Sequence, residues 1–78
     1  MEKYISGDVM LKPNIEELIE KSGLRKGYIA DKLQITVRQL RKYEKGESYI
    51  PIEKAYILAD LLGVKVDDLY ERKKAPLD

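Results

Sequence analysis

Residues 36–46 read Thr-Val-Arg-Gln-Leu-Arg-Lys-Tyr-Glu-Lys-Gly. Arg38, Gln39, Arg41, Lys42 and Lys45 bring guanidinium, carboxamide and ammonium donors together on one short helical segment. Groups of this kind donate hydrogen bonds, and all but the carboxamide carry positive charge. They hold a partner that is rich in acceptors and negative charge. The rest of the chain offers little for catalysis. It has no His and no Cys, hence no common nucleophile–base pair and no tetrahedral zinc set. Glu16, Glu17 and Glu20 share a helix face that reads as solvation, and no Gly-rich phosphate loop is present. The expectation is a binding protein rather than an enzyme, with no cofactor and no metal.

The charge distribution agrees with that reading. The net charge over 78 residues is only +1, which by itself points to no acidic partner. Residues 24–46, however, hold seven basic groups (Arg25, Lys26, Lys32, Arg38, Arg41, Lys42, Lys45) against Asp31 and Glu44, a balance of +5. The remainder carries eight basic and twelve acidic groups, a balance of −4. The basic surplus falls where the donor-rich helix lies.

The elements that must position these donors follow from caps and periodicity. Hydrophobic residues make up 44% of the chain, enough for one modest core in one domain. A first helix begins at Pro13-Asn14, with Asn14 and Glu17 spaced as a capping box, buries Ile15, Leu18 and Ile19, and ends at Ser22-Gly23. A second runs from Arg25 or Lys26 to Leu33 with Ile29, Ala30 and Leu33 facing inward. Gln34-Ile35 makes the turn. Thr36 caps a third helix that runs to about Tyr43, with Leu40 and Tyr43 facing in and Val37 at the edge. A fourth starts near Pro51 with a core stripe of Ile52, Ala55, Tyr56, Ala59 and Leu62, and ends at Gly63. A fifth spans about Val66 to Arg72, with Asp67 and Asp68 in its first turn and Arg72-Lys73 at its end. The expected organisation is an N-terminal arm over 1–12, either short extended pieces at Tyr4-Ile5 and Val9-Met10 about a turn at Gly7-Asp8 or a loose arm, then a helical domain over 13–72 and a flexible tail over 73–78. No apolar run approaches the roughly 20 residues of a membrane span, and no charged-then-apolar leader opens the chain. Absence of Cys fits a reducing cytosol.

Five short helices with this punctuation resemble the Cro/C1-type helix-turn-helix family, also called XRE or lambda-repressor-like. The resemblance covers roughly residues 15–70. It rests on Gly23-Leu24, Ile29-Ala30-x-x-Leu33, Ile35-Thr36, Leu40, Tyr43-Glu44-x-Gly46, Pro51, Ala59-x-x-Leu62-Gly63-Val64 and Asp68-Leu69. It implies an all-α fold, a compact bundle of about five short helices, and double-stranded DNA as the partner. The third helix becomes the recognition helix in the major groove. The base-reading positions implied are Val37, Arg38 and Lys42, with Gln39 and Arg41 beside them; Arg38 suits a bidentate pair with guanine O6 and N7. Phosphate contacts fall on Arg25, Lys26, Thr36, Lys45, Ser48 and Tyr49. The chain departs from the pattern at several places. Arg25-Lys26 stands where the family often has Ser/Thr-Gln, Gly27 lies in the first turn of the second helix, and Gln34 holds the turn position usually given to Gly. Ile19 occupies the place of an Arg that pairs with the Glu near the end of the recognition helix, so Glu44 lacks that partner.

The function implied is a sequence-specific transcriptional regulator, a small phage- or mobile-element-type repressor, acting in the cytoplasm of a bacterial or phage-infected cell at the nucleoid. A homodimer is expected on DNA, with Val66, Leu69 and Tyr70 as the candidate interface, or an arm surface with Tyr4, Ile5 and Met10. The alternative is a protein-binding module of the same fold, an antitoxin or an antirepressor. No membrane association is expected.

Overall fold

A computed structural model describes residues 9–74. In chain order these form strand β1 (Val9–Pro13), helices α1 (Ile15–Ser22), α2 (Lys26–Leu33), α3 (Val37–Lys45) and α4 (Ile52–Leu62), a 3-10 turn (Val66–Leu69) and strand β2 (Tyr70–Lys74). The domain is all-α in its body, with the 3-10 turn in the place of a fifth helix. The residues expected to form most of the N-terminal arm, 1–8, and the end of the tail, 75–78, lie outside the described residues.

Helix ends follow their local chemistry. Gly23, Gly46 and Gly63 take left-handed conformations after α1, α3 and α4. The first of these turns is reinforced by Ser22, whose hydroxyl donates to Ile19 O at 2.6 Å and accepts from the Leu24 N–H at 3.0 Å. The expected capping box at α1 does not form. Asn14 makes no side-chain cap; its backbone N–H donates instead to Leu69 O at 2.9 Å. The start of α1 is thereby tied to the far end of the domain.

The core gathers Ile15, Ile29, Leu33, Leu40, Leu58 and Leu69, all fully buried, with Ile19, Ala30, Tyr43, Ile50, Ala55 and Ala59 around them. Helix α4 packs against α1, α2 and the 3-10 turn. Its inner face is Ala55, Leu58 and Ala59, whereas Ile52 and Tyr56 are more than 60% exposed. The expected stripe was rotated. Apolar residues lie on several sides of this helix, so periodicity alone leaves its orientation open.

Residues 70–72, expected as the end of a fifth helix, are extended. Tyr70 has φ −134° and ψ 144°, and β2 pairs antiparallel with β1 so that Leu11 faces Arg72, Lys12 faces Glu71 and Pro13 faces Tyr70. Residues 9–12, expected within the arm, are therefore one half of a two-stranded ribbon. Such a ribbon is marginal alone, and this one is anchored at its base. The Ile50 N–H donates to the Tyr70 hydroxyl at 3.1 Å, and the Tyr49 and Tyr70 rings meet edge to face at 5.7 Å. Burial pushes the Tyr70 phenol above its ordinary value, opposed by the Ile50 hydrogen bond.

Candidate nucleic-acid interface

Helices α2 and α3 meet across a turn that Gln34 makes possible. Gln34 sits at φ 60°, ψ 44°, a left-handed conformation that a side chain disfavours by about 1–2 kcal/mol. The Ile35 N–H closes the turn on Ala30 O at 2.9 Å. The position where Gly is usual thus keeps its conformation with a different residue. Thr36 then starts α3 as expected, its hydroxyl accepting the Gln39 N–H at 3.0 Å. This cap is worth about 1 kcal/mol, and it fixes the angle at which the following residues leave the turn.

Helix α3 is divided by charge. Its inner face is Leu40, Tyr43 and Glu44. Arg38, Arg41, Lys42 and Lys45 are all exposed. At 100° per residue these four project to the side opposite Leu40 and Tyr43. The stripe from Arg38 to Lys45 is about 10 Å long at 1.5 Å per residue, a length that fits within the ~12 Å width of a B-DNA major groove. Val37 and Gln39 are partly covered at the margins of the stripe.

The first turns of the helices reinforce the division. Helices α1 and α4 carry acids there, Glu16 and Glu17 in one and Glu53 in the other, which neutralise the positive end of the helix dipole. Helices α2 and α3 carry none. Apart from the Gln39 N–H, which the Thr36 hydroxyl takes, the first-turn N–H groups and dipoles of these two helices meet no acid of their own first turn and suit an anion from outside the domain.

Glu44 reverses the local pattern. It is an acid in the last turn of α3, where a negative charge is unfavourable, and it is 5% exposed. Its partner is Lys26 at the start of α2, whose ammonium lies 3.1 Å from Oε1. Oε2 has no hydrogen-bond partner. The role that an Arg on the first helix fills in the family pattern is here filled from α2, and the pair ties the entrance of α2 to the end of α3. Lys26, expected as a phosphate contact, is thus engaged by Glu44 in the structure. Sequence reasoning missed the pair because its members are 18 positions apart. One signal was present: Glu44 lies four residues after Leu40, in phase with the core.

The remaining expected contacts are spread around this face. Arg25 is exposed and is the residue at which α2 begins, without a side-chain cap. Lys45 is exposed in the last turn of α3. Ser48 is partly covered, while Tyr49 is exposed and packed edge-on against Tyr70. Thr36 has its hydroxyl committed to the cap. Of the three candidate interface residues, Leu69 is fully buried in the core and is not available to a partner, while Val66 and Tyr70 are partly exposed. Among the described residues no cluster of His, Cys, Asp and Glu could hold a metal ion, and no helix is long and apolar enough to cross a membrane.

A capped, basic-faced helix set against a second helix across a tight turn defines a DNA-binding helix-turn-helix protein. The family model for the helix-turn-helix matches residues 15–69, more than half of the chain. The protein belongs to that family, of the Cro/C1 or XRE-like type, whose domains bind DNA. No curated protein matches the chain.

Proposed function

We propose that this protein is a sequence-specific transcriptional regulator, a small repressor of the phage or mobile-element kind, working as a homodimer on double-stranded DNA. The observation that carries the reading is the exposed face of α3, where Arg38, Arg41, Lys42 and Lys45 stand without an acid among them. In this reading α3 enters the major groove. Arg38 reads guanine through O6 and N7, Val37 offers apolar contact to a thymine methyl, and Gln39, Arg41 and Lys42 add base or phosphate contacts. Arg25, Lys45, Ser48 and Tyr49, with the acid-free start of α2, hold the flanking phosphates and set the register. The protein acts by binding, without catalysis, in the cytoplasm at the nucleoid.

One domain of this size touches few base pairs, so two copies on half-sites about one helical turn apart would supply useful affinity. Val66 and Tyr70 remain candidates for the surface between them. A protein-binding role, as antitoxin or antirepressor, draws on a different feature: Ile52, Tyr56 and Ile57 leave apolar area exposed on the outside of α4.

Capture of fragmented host genomic DNA on the purified protein at near-physiological salt, followed by sequencing, tests the proposal. Enrichment of a few sites sharing an inverted repeat is the expected result. Salt-sensitive capture with no shared motif would reduce the function to electrostatic binding. No capture would transfer the α3 face to a protein partner.

A further inference from the structure

Lys54 stands in the first turn of α4, beside Glu53. A cation there opposes the positive end of its own helix dipole, so the stability of α4 does not account for it. Its side chain leaves α4 instead. The Lys54 ammonium donates to Leu33 O at 2.9 Å, across 21 positions of sequence. Leu33 is the last residue of α2 and is fully buried. Carbonyls in the last turn of a helix carry the negative end of the dipole and lack partners inside the helix. The charge that α4 disfavours is thus placed where α2 favours it, in a charge-assisted hydrogen bond.

The place of this bond matters more than its strength. Leu33 O belongs to the planar peptide unit that leads into Gln34. Gln34 holds φ 60°, ψ 44°, the left-handed conformation that a side chain disfavours. The N–H groups that follow close the same turn: that of Gln34 donates to Asp31 O at 3.0 Å and that of Ile35 to Ala30 O at 2.9 Å. Thr36, one residue on, caps α3. Rotation about the Gln34 N–Cα bond therefore swings α3 relative to α2, and Lys54 grips the peptide unit on the α2 side of that bond. The grip comes from the helix that buries Ala55, Leu58 and Ala59, so the turn is referred to the core of the domain.

We infer that Lys54 is a positioning residue for DNA binding. From α4 it holds the strained turn at Gln34 and so fixes the angle at which α3 is presented. The inference rests on the reading of α3 as the helix that enters DNA. In this role Lys54 touches neither base nor phosphate, and it acts through the Leu33 carbonyl. The distinction is measurable, because a lost phosphate contact changes the salt dependence of binding whereas a misplaced helix changes affinity.

The test compares the full-length protein with Lys54→Met, which keeps the apolar stem and loses the donor, and with Lys54→Arg, which keeps a cationic donor. Leu58→Ala is the control for stability alone. Each is titrated with the duplex most enriched in the genomic capture over a series of salt concentrations, at a temperature where all are folded. Lys54→Met should bind about tenfold more weakly, the size of one charge-assisted hydrogen bond, with the slope of log K against log salt unchanged. Its Ile35 amide should exchange with solvent faster than in the original protein. Lys54→Arg should restore most of the affinity and the protection of Ile35, and Leu58→Ala should bind as the original does. A slope flattened by about 0.9 in Lys54→Met would make Lys54 a phosphate contact and overturn the inference. Unchanged affinity in Lys54→Met would reduce the bond to ordinary stabilisation, and equal losses in the Met and Arg variants would show that the donor does not matter. An original protein that enriches no duplex would remove the regulator reading and this role with it, whatever the Ile35 amide does.

Discussion

Helices α3 and α4 are consecutive, begin from an extended residue and end at a left-handed Gly, and each buries three side chains. Their outer faces have opposite chemistry. That of α3 is Arg38, Arg41, Lys42 and Lys45, while that of α4 is Ile52, Tyr56 and Ile57 with Glu53 and Asp60. The first turns differ in the same sense: α4 opens with Glu53 and α3 opens without an acid. Helix α4 neutralises its own dipole and contributes Leu58 to the centre of the core. Helix α3 leaves its positive end free and crowds four cations on one side, and it tolerates this because Thr36, Gly46 and the Lys26–Glu44 pair hold it from both ends. The contrast separates a helix whose sequence serves stability from one whose sequence serves a partner. Proteins commonly carry such locally unfavourable choices at functional sites.

Substitutions in the two helices and in their supports should divide accordingly. The largest effect on stability is expected for Leu58→Ala, about 3 kcal/mol by chemical denaturation, because Leu58 is completely buried. Binding to DNA at temperatures where the variant remains folded should be unchanged. Lys26→Met should cost about 2 kcal/mol, less than a fully buried pair because the lysine head is partly exposed. Glu44→Gln in the same background should recover part of that loss, since the buried charge is then gone. Failure of the second change to help would mean that the pair does not hold α2 to α3. In the turn between those helices, Gln34→Gly should stabilise by about 1 kcal/mol, as it relieves a left-handed side chain; destabilisation would show that the turn is relaxed as it stands. Ile52→Ser should change both stability and DNA affinity by less than about 0.5 kcal/mol. A large loss of self-association in that variant would make α4 the dimer surface and remove it from the purely structural side of the comparison.

The parts of this arrangement that sequence reveals are those governed by near neighbours. Thr36 predicts the start of α3, because a cap acts three residues away, and Gly23, Gly46 and Gly63 predict where helices stop. The basic face of α3 follows from spacing alone. What stayed hidden depends on distant residues. Lys26 and Glu44 are 18 positions apart, and nothing near either names the other. Residues 70–72 have the charges of a helix end, yet their structure is decided by β1, more than fifty positions earlier, and by the Ile50 N–H on Tyr70. The rotation of α4 was hidden for a different reason. Ile52, Tyr56, Ile57, Leu58, Leu61 and Leu62 surround the helix with apolar side chains, so only packing against α2 and the 3-10 turn selects Leu58 over Tyr56.

Under the proposed function, α3 reads bases rather than only attracting phosphate. Arg38→Ala tests it most directly, measured as affinity for the captured inverted repeat and for a shuffled duplex of the same length at one salt concentration. A loss of about 1–3 kcal/mol on the repeat, a much smaller loss on the shuffled duplex and relaxed preference at one base position are expected. Equal losses on both duplexes, or none on either, would contradict it.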